Sequence, residues 1–133
     1  MIFADSSFLI AYLIERDRNH EAAVRLYEQV AYQRVAITNH VRGETWTWLR
    51  SKSRHERAVA FLDGVGMGDG YIEVAHIPED IEGEALHWLR QHDEREYSFV
   101  DATSFAYMRA KGITEALAFD GDFAAAGFTE LRP

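Results

Sequence analysis

The chain opens with the stretch Ile2-Phe3-Ala4-Asp5-Ser6-Ser7, in which three apolar residues run directly into a carboxylate. We interpret residues 2–4 as a short buried strand and the apolar segment 6–14 as a helix. A second apolar run, Ala116-Leu117-Ala118-Phe119, likewise ends at a carboxylate, that of Asp120. Both runs are therefore interpreted as short buried strands, and each strand ends at an acid.

Strands and helices are predicted to alternate along the whole chain. Further strands are expected at 35–37, 71–76 and 128–131, and helices are expected to start near Asn19, at Thr38 or Asn39, at Ser53, after Pro78 and at Ser98. The alternating glycines of 64–70 do not match the dinucleotide fingerprint, so this segment is interpreted as a loop. The pattern predicts an α/β fold, a three-layer α/β/α sandwich with a central parallel sheet, and residues 1–133 are expected to form a single domain.

The chain of 133 residues has a formal net charge of −8 and no cysteine. The lack of cysteine excludes disulfides, thiolate metal sites and cysteine nucleophiles, and it fits a reducing cytoplasm. We see no basic leader and no apolar stretch near the roughly 20 residues that span a bilayer, so neither secretion nor a membrane is expected. The negative charge argues against a phosphate-backbone partner, but four of the fourteen basic residues fall in the segment 50–57.

Four carboxylates stand where an ionised group is unfavourable unless something pairs with it. Asp5 and Asp120 follow the two strands quoted above. Asp101 lies in the first turn of a predicted helix, and Glu44 lies on the apolar stripe of another. Because the cleft of an open parallel sheet lies beyond the carboxyl ends of its strands, all four can reach one edge. Two like charges about 4 Å apart repel by roughly 4 kcal/mol at an effective dielectric near 20. A divalent cation such as Mg²⁺ or Mn²⁺ reverses this repulsion and suits phosphodiester hydrolysis.

Each of these acids also has an ordinary structural explanation. Asp5 can cap the first helix, Asp101 can complete a capping box, and Asp120 with the glycine after it is a natural turn pair. Glu44 can simply be exposed at the border of its apolar stripe. No single position decides between the two explanations, and the coincidence of all four favours a metal site.

Four segments, taken in order, resemble the PIN-domain nucleases, and in particular the VapC toxins of prokaryotic toxin–antitoxin modules. They are the opening stretch 2–7, the helix acid Glu44, Tyr97-Ser98-Phe99-Val100-Asp101-Ala102, and Leu117-Ala118-Phe119-Asp120-Gly121-Asp122-Phe123. Order and spacing match over essentially the whole chain, and the C-terminal third is the most specific part. The resemblance implies a Mg²⁺- or Mn²⁺-dependent endoribonuclease toxin that hydrolyses phosphodiester bonds in tRNA, rRNA or mRNA.

The resemblance also implies roles for single residues and for partners. The catalytic and metal-binding acids would be Asp5, Glu44, Asp101 and Asp120. Asp122 would support or replace Asp120, and Ser6 would orient a ligand or a water molecule. Family members usually dimerise and are silenced by an antitoxin, so a cognate antitoxin protein, an RNA substrate and a homodimer in the cytoplasm are expected.

Basic and aromatic residues supply the candidates for contacts with these partners. For the ribonuclease that the resemblance implies, the candidates for RNA contact are Arg42, Arg50, Lys52, Arg54 and Arg57. From charge alone, a solvated surface explains each of them equally simply. Trp48 is expected to pack in the core. Trp46 lies on another side of the same helix and is a candidate for a dimer or antitoxin surface.

Three other readings of the sequence are weighed against the nuclease. A zinc hydrolase would use His40 and Glu44, four residues apart on one helix, but no third histidine has a matching spacing. A haloacid-type phosphatase would use Asp120 and Asp122, but its hallmark lysine and first-strand context are missing. The main alternative is a catalytically silent PIN-like binding or scaffold module, which the intact acids at all four positions disfavour.

Overall fold

The computed structural model describes residues 1–65 and 72–133, and within these ranges each strand but the last is followed by one or two helices. The strands are β1 (Ile2–Ala4), β2 (Val35–Thr38), β3 (Ile72–Ala75), β4 (Glu115–Leu117) and β5 (Thr129–Glu130). The helices are α1 (Ser6–Leu13), α2 (His20–Gln29), α3 (Asn39–Lys52), α4 (His55–Gly64), α5 (Glu79–Gln91), α6 (Phe99–Lys111) and α7 (Asp122–Ala125).

The strands form a parallel sheet in the order β3-β2-β1-β4-β5. β1 is central, and its Phe3 is paired with Ala36 on one side and Ala116 on the other. β1 and β2 are buried throughout, as expected for parallel strands covered on both faces by their crossover helices. The predicted three-layer α/β/α sandwich is confirmed. All strands run the same way, so their carboxyl ends meet at one edge, which we call the carboxyl edge.

An aromatic cluster holds the C-terminal part of the chain against the central strand. The rings of Phe3 on β1 and Phe123 on α7 stack with centroids 5.8 Å apart, and Phe105 on α6 meets Phe123 edge-on at 4.9 Å. All three side chains are fully buried. Each such pair contributes about 0.5–1.5 kcal/mol beyond the burial of its area. The cluster therefore fixes α6 and α7, which carry Asp101 and Asp122, relative to β1.

Several element boundaries differ from the prediction. α4 begins after Arg54 and not at Ser53, because the Ser53 N–H donates to the carbonyl of Leu49 and ends α3. β4 ends at Leu117, before the predicted end of the run. The short helix α7 was not predicted, since its four residues contain a single large apolar side chain.

Other predictions are tested only in part. The predicted loop 64–70 lies outside the described residues except for Gly64, the last residue of α4, and Val65. Tyr71, the first residue of the predicted third strand, also lies outside them. No helix in the described ranges is long and apolar enough to cross a membrane. The single-domain organisation stays a prediction.

Candidate metal centre at the carboxyl edge

Asp5 follows β1 directly and exposes only 2% of its surface. It is the N-cap of α1, because its Oδ2 accepts hydrogen bonds from the Ser7 N–H at 3.2 Å and from the Ser7 hydroxyl at 2.8 Å. Its other oxygen, Oδ1, is buried and has no hydrogen-bond partner in the described part of the chain. A buried acceptor without a partner is unfavourable and uncommon. Asp5 is thus a helix cap that also offers one oxygen to a group the described residues do not supply.

Ser7 ties Asp5 to the end of β4. Its hydroxyl donates to Asp5 and accepts a hydrogen bond from the backbone N–H of Phe119 at 3.1 Å. The Asp5 N–H in turn donates to the carbonyl of Leu117 at 3.0 Å. Ser7 is not among the predicted site residues, although a hydroxyl two residues after an N-cap acid is a sequence signal for such a bond.

Glu44 joins the centre through Ser6. Glu44 lies near the middle of α3 and is half-buried. The Ser6 hydroxyl donates a hydrogen bond to Oε1 of Glu44. Since Ser6 adjoins Asp5 in the chain, this bond links Glu44 on α3 to the start of α1. The predicted role of Ser6 in orienting a ligand or a water molecule stays a prediction.

Asp101 is buried in the first turn of α6 and forms the predicted capping box. The Asp101 N–H donates to Oγ of Ser98 at 2.9 Å, and the Ser98 N–H donates to Oδ2 of Asp101 at 2.9 Å. The reciprocal bonds fix the carboxylate at the start of the helix, where the backbone N–H groups favour a negative charge. The predicted capping box at Asp101 is therefore confirmed. A metal-binding role for the same carboxylate stays a prediction.

Asp120 and Asp122 flank a tight turn between β4 and α7. Gly121 has φ +83°, in the left-handed region that favours glycine. The turn returns the chain so that the Asp122 N–H donates to Oδ1 of Asp120 at 3.1 Å. The predicted turn role of Asp120 is thus also correct.

The structure brings three of the predicted acids into one tight group. Each of Asp101, Asp120 and Asp122 offers a carboxylate oxygen, and these oxygens lie within 4.8 Å of one another. Asp5 and Glu44 are not part of that group. Asp5 lies close enough for the charges of Asp120 and Asp101 to act on it, and Glu44 is attached through Ser6 as described. We call Asp101, Asp120 and Asp122 the acidic cluster.

Burial and mutual repulsion raise the pKa values of three of these acids. The pKa of Asp5 rises from 3.8 to about 8, first because the group is buried and then because Asp120 is near, while the bonds from Ser7 oppose the rise. The pKa of Asp101 rises to about 6, again through burial first and then through the charges of Asp122 and Asp120. The pKa of Asp120 is raised by partial burial and then by Asp122, although its outer side is exposed.

These features fit a divalent cation. The donors are all carboxylate oxygens, the set preferred by Mg²⁺ and Mn²⁺. The buried Oδ1 of Asp5 lacks a partner among the described residues, and the acidic cluster offers three further oxygens. A cation would favour the ionised form of every acid around it and so oppose the pKa shifts above.

Arg95 also belongs to this edge, and the sequence did not indicate it. Its Nε donates to Oδ1 of Asp122 at 2.9 Å and its Nη2 to the backbone carbonyl of Asp120 at 3.4 Å. Arg95 stands in the segment Asp93-Glu94-Arg95-Glu96, between α5 and α6. In the sequence, Arg95 stands out only as one basic residue among acidic residues. The contact with a turn 27 residues away is not encoded locally.

The predicted RNA-contact residues separate into two sets. Lys52, Arg54 and Arg57 line a cleft of about 400 Å³ together with Arg16 from the turn after α1. We call these four residues the basic cleft. The other two predicted contacts are Arg42, which is half-buried, and Arg50, which is exposed. Both lie elsewhere on α3 and do not line this cleft.

The two tryptophans of α3 are both half-buried. Trp46 meets the ring of His55 edge-on at 5.9 Å. Trp48 lines a groove beside Glu44 and Phe99. The core position expected for Trp48 is therefore only partly reached, and the partner surface expected at Trp46 stays a prediction.

His40, the histidine of the zinc-hydrolase alternative, has a different partner. Its Nδ1 lies 3.1 Å from the hydroxyl of Thr103 on α6. Its ring also packs against Phe99, with centroids 5.4 Å apart. The acids that converge are aspartates of other elements, so the arrangement favours an all-carboxylate site over a histidine pair.

A parallel sheet whose acids converge on the carboxyl edge is the arrangement of a PIN-type nuclease, and the PIN domain profile matches residues 2–129. The chain belongs to the PIN-domain family. It is 50% identical over 133 residues to the "23S rRNA-specific endonuclease VapC20" of two strains of Mycobacterium tuberculosis, covering 100% of this chain and 99% of that protein. The predicted class, an endoribonuclease toxin of VapC type, is confirmed.

Solved structures agree with this assignment. The crystal structure of Mycobacterium tuberculosis VapC20, described as a sarcin–ricin loop cleaving toxin, superposes with a TM-score of 0.94 at 49% identity and 100% coverage of both chains. A chain from a toxin–antitoxin complex of Klebsiella pneumoniae shares the fold, with a TM-score of 0.63, 21% identity, and coverage of 93% of this chain and 91% of that one.

Proposed function

We propose that the catalytic centre of this endoribonuclease consists of Asp5, Glu44 and the acidic cluster, loaded with Mg²⁺ or Mn²⁺. The observation that supports it best is the buried, unpartnered Oδ1 of Asp5 next to three carboxylates whose oxygens lie within 4.8 Å of one another. A bound divalent cation would relieve the repulsion among these acids.

The protein's own residues would hold and aim the ligands of that ion. Asp5 and the acidic cluster would bind it, and Glu44 would complete the centre from α3. Ser7 and Ser98 fix the orientation of Asp5 and Asp101 through the hydrogen bonds described, which is the usual role of residues that support metal ligands. A bound divalent cation lowers the pKa of water and stabilises negative charge on phosphodiester oxygens.

We further propose RNA as the substrate and a protein antitoxin as the regulator. A relative 50% identical over the full chain carries the name of a 23S rRNA-specific endonuclease, and its crystal structure is described as that of a sarcin–ricin loop cleaving toxin. The sarcin–ricin loop of 23S rRNA is therefore the first substrate to try. The basic cleft, with Arg42 and Arg50, would contact the RNA backbone. A homodimer in the cytoplasm is the expected form of the protein.

The test is cleavage of a synthetic sarcin–ricin loop RNA with Mg²⁺, with Mn²⁺ and with EDTA, using the parent protein, Asp101→Asn and Asp80→Asn. Asp80 is an exposed acid in the first turn of α5 and serves as the matched control. We expect cutting by the parent and by Asp80→Asn, at least about 100-fold slower cutting by Asp101→Asn, and none in EDTA. Metal-independent cutting, or full activity of Asp101→Asn, would refute the assignment. Tight Mn²⁺ binding without cleavage of this or any cellular RNA would favour the binding-module alternative.

A further inference from the structure

We propose that Arg95 binds the RNA phosphate that enters the acidic centre, exchanging its present partner Asp122 for that phosphate. The inference rests on the proposed ribonuclease function. Arg95 lies between α5 and α6 and reaches across to the turn before α7. Its Nε to Asp122 Oδ1 bond of 2.9 Å and its Nη2 contact with the Asp120 carbonyl hold the guanidinium directly against the acids.

The guanidinium keeps donors for a second partner. Arginine has five N–H donors. Both Nε and Nη2 of Arg95 lie 2.9 Å from Oδ1 of Asp122, and Nη2 also donates to the Asp120 carbonyl at 3.4 Å. Within residues 1–65 and 72–133, Nη1 makes no hydrogen bond or ion pair. The side chain is 42% exposed. The two N–H donors of Nη1 are therefore left for a ligand that arrives from solvent.

An RNA strand needs a cation at this edge. The chain has a formal net charge of −8, and the acidic cluster adds local repulsion against a polyanion. Of the lysines and arginines in the described ranges, Arg95 alone forms an ion pair with the cluster. Arg132, on the neighbouring chain segment, is already paired with Glu130. Arg95 is thus the basic group best placed to bring a phosphate to the acids.

The pair with Asp122 is suited to exchange. An ion pair between partly exposed groups contributes little in water, whereas a phosphate accepts two parallel hydrogen bonds from one guanidinium. Exchange would also release Oδ1 of Asp122 to the acidic cluster. One step would then both hold the RNA and return a carboxylate to the metal centre.

The test measures RNA binding without cleavage and without metal. A fluorescein-labelled sarcin–ricin loop RNA is titrated in EDTA, at several salt concentrations, with the parent, Arg95→Ala, Arg95→Lys, Asp122→Asn and Arg34→Ala. Arg34 is the matched control, because it forms a similar exposed ion pair with Glu73 at the opposite edge of the sheet. Its removal changes the net charge equally.

For Arg95→Ala we expect binding about 10- to 100-fold weaker than that of the parent. The slope of log K against log salt should also become shallower by about 0.7–0.9. Arg34→Ala should bind within about twofold of the parent, as expected for a charge far from the RNA. Arg95→Lys should keep the slope and lose part of the affinity. Asp122→Asn should bind more tightly than the parent, because it frees Arg95 and removes a negative charge.

A merely structural role for Arg95 predicts different results. It would lower the thermal unfolding midpoint in both Arg95→Ala and Asp122→Asn, and Asp122→Asn would weaken RNA binding. The proposal expects both midpoints within about 5 °C of the parent. Equal affinity and equal salt slope for Arg95→Ala and Arg34→Ala would overturn it, even if the parent cuts RNA. If the parent binds this RNA through Arg95 but cuts nothing, the proposed nuclease centre fails and the role of Arg95 stands.

Discussion

At Asp5 one carboxylate oxygen caps α1 through Ser7, while the other is buried without a partner among the residues described. The first arrangement stabilises the helix, and the second is unfavourable in the absence of a cation. The raised pKa of Asp5, about 8, reflects the same conflict. A residue that satisfies only half of its hydrogen-bonding capacity in this way is typical of sites selected for function at some expense of stability.

Asp5→Asn should therefore raise the stability of the protein and lower its cleavage activity. The amide keeps a capping oxygen and removes the buried charge, so at pH 8 in EDTA we expect the free energy of unfolding to rise by roughly 1–3 kcal/mol. Cleavage should fall by about 100-fold or more. Urea unfolding and RNA cleavage measure the two effects.

The matched control is Asp17→Asn. The Oδ1 of Asp17 also accepts a backbone N–H two residues on, that of Asn19 at 2.8 Å, but outside the acidic centre. This variant should change neither quantity appreciably. Lower stability of Asp5→Asn at pH 8, relative to Asp17→Asn, would show that the buried charge is not a destabilising feature.

Among the elements, the turn from β4 to α7 decides whether the acidic cluster forms. Gly121 adopts φ +83°, and a Cβ there would lie 3.6 Å from Nη2 of Arg95. A side chain disfavours this backbone conformation by roughly 1–2 kcal/mol. The left-handed backbone of Gly121 therefore sets this turn, and a change at its centre alters the positions of Asp120 and Asp122 together.

Gly121→Ala should lower both stability and metal affinity. We expect a loss of about 1–2 kcal/mol in the free energy of unfolding and weaker Mn²⁺ binding, measured by urea unfolding and by calorimetry. Gly83→Ala is the control, since Gly83 lies within α5 with nothing near its Cβ position. It should stabilise the protein by about 0.5–1 kcal/mol. Unchanged stability and Mn²⁺ affinity in Gly121→Ala would mean that the turn does not position the acids.

The elements predicted correctly are those with strong local signals. The apolar run before Asp5 and the capping box at Ser98 and Asp101 both appear as predicted. The start of α4 was misplaced because Ser53 resembles an N-cap while its N–H ends the preceding helix. The bond between Ser7 and Phe119 and the contact of Arg95 with Asp122 were missed because the partners lie 112 and 27 residues apart in the chain. A single sequence shows the helix caps and the apolar strands, because their signals are local. It does not show which distant segments of the chain will contact each other in the fold.

The whole molecule is expected to lose stability as pH rises when no metal is bound. The pKa values of Asp5 and Asp101 are about 8 and about 6 in the fold, against 3.8 for the free group. Between pH 4 and 8 the folded state thus binds more protons than the unfolded state, so the free energy of unfolding decreases with pH. The favourable contribution is fully present below pH 3.8 and is lost as pH passes through each folded pKa.

From pH 5 to pH 8 in EDTA we expect the free energy of unfolding to fall by on the order of 3 kcal/mol. Saturating Mn²⁺ should restore much of this at pH 8, because the ion binds only the folded site. Urea titrations at both pH values provide the measurement. The variant that combines Asp5→Asn with Asp101→Asn should show a much flatter pH profile. A parent protein that gains stability from pH 5 to pH 8 without metal would contradict the electrostatic account of the site.

The hydrogen bond from the Phe119 N–H to the Ser7 hydroxyl can form only late in the synthesis of the chain. It joins the first strand to a segment synthesised 112 residues later. At roughly 5–20 residues per second, that delay lasts about 6–22 seconds. Throughout this interval the growing polypeptide carries Asp5 without Asp120 or Asp122, and its central strand lacks one neighbour. The acids proposed for the metal centre can therefore come together only after the last part of the chain has been made and the sheet can close.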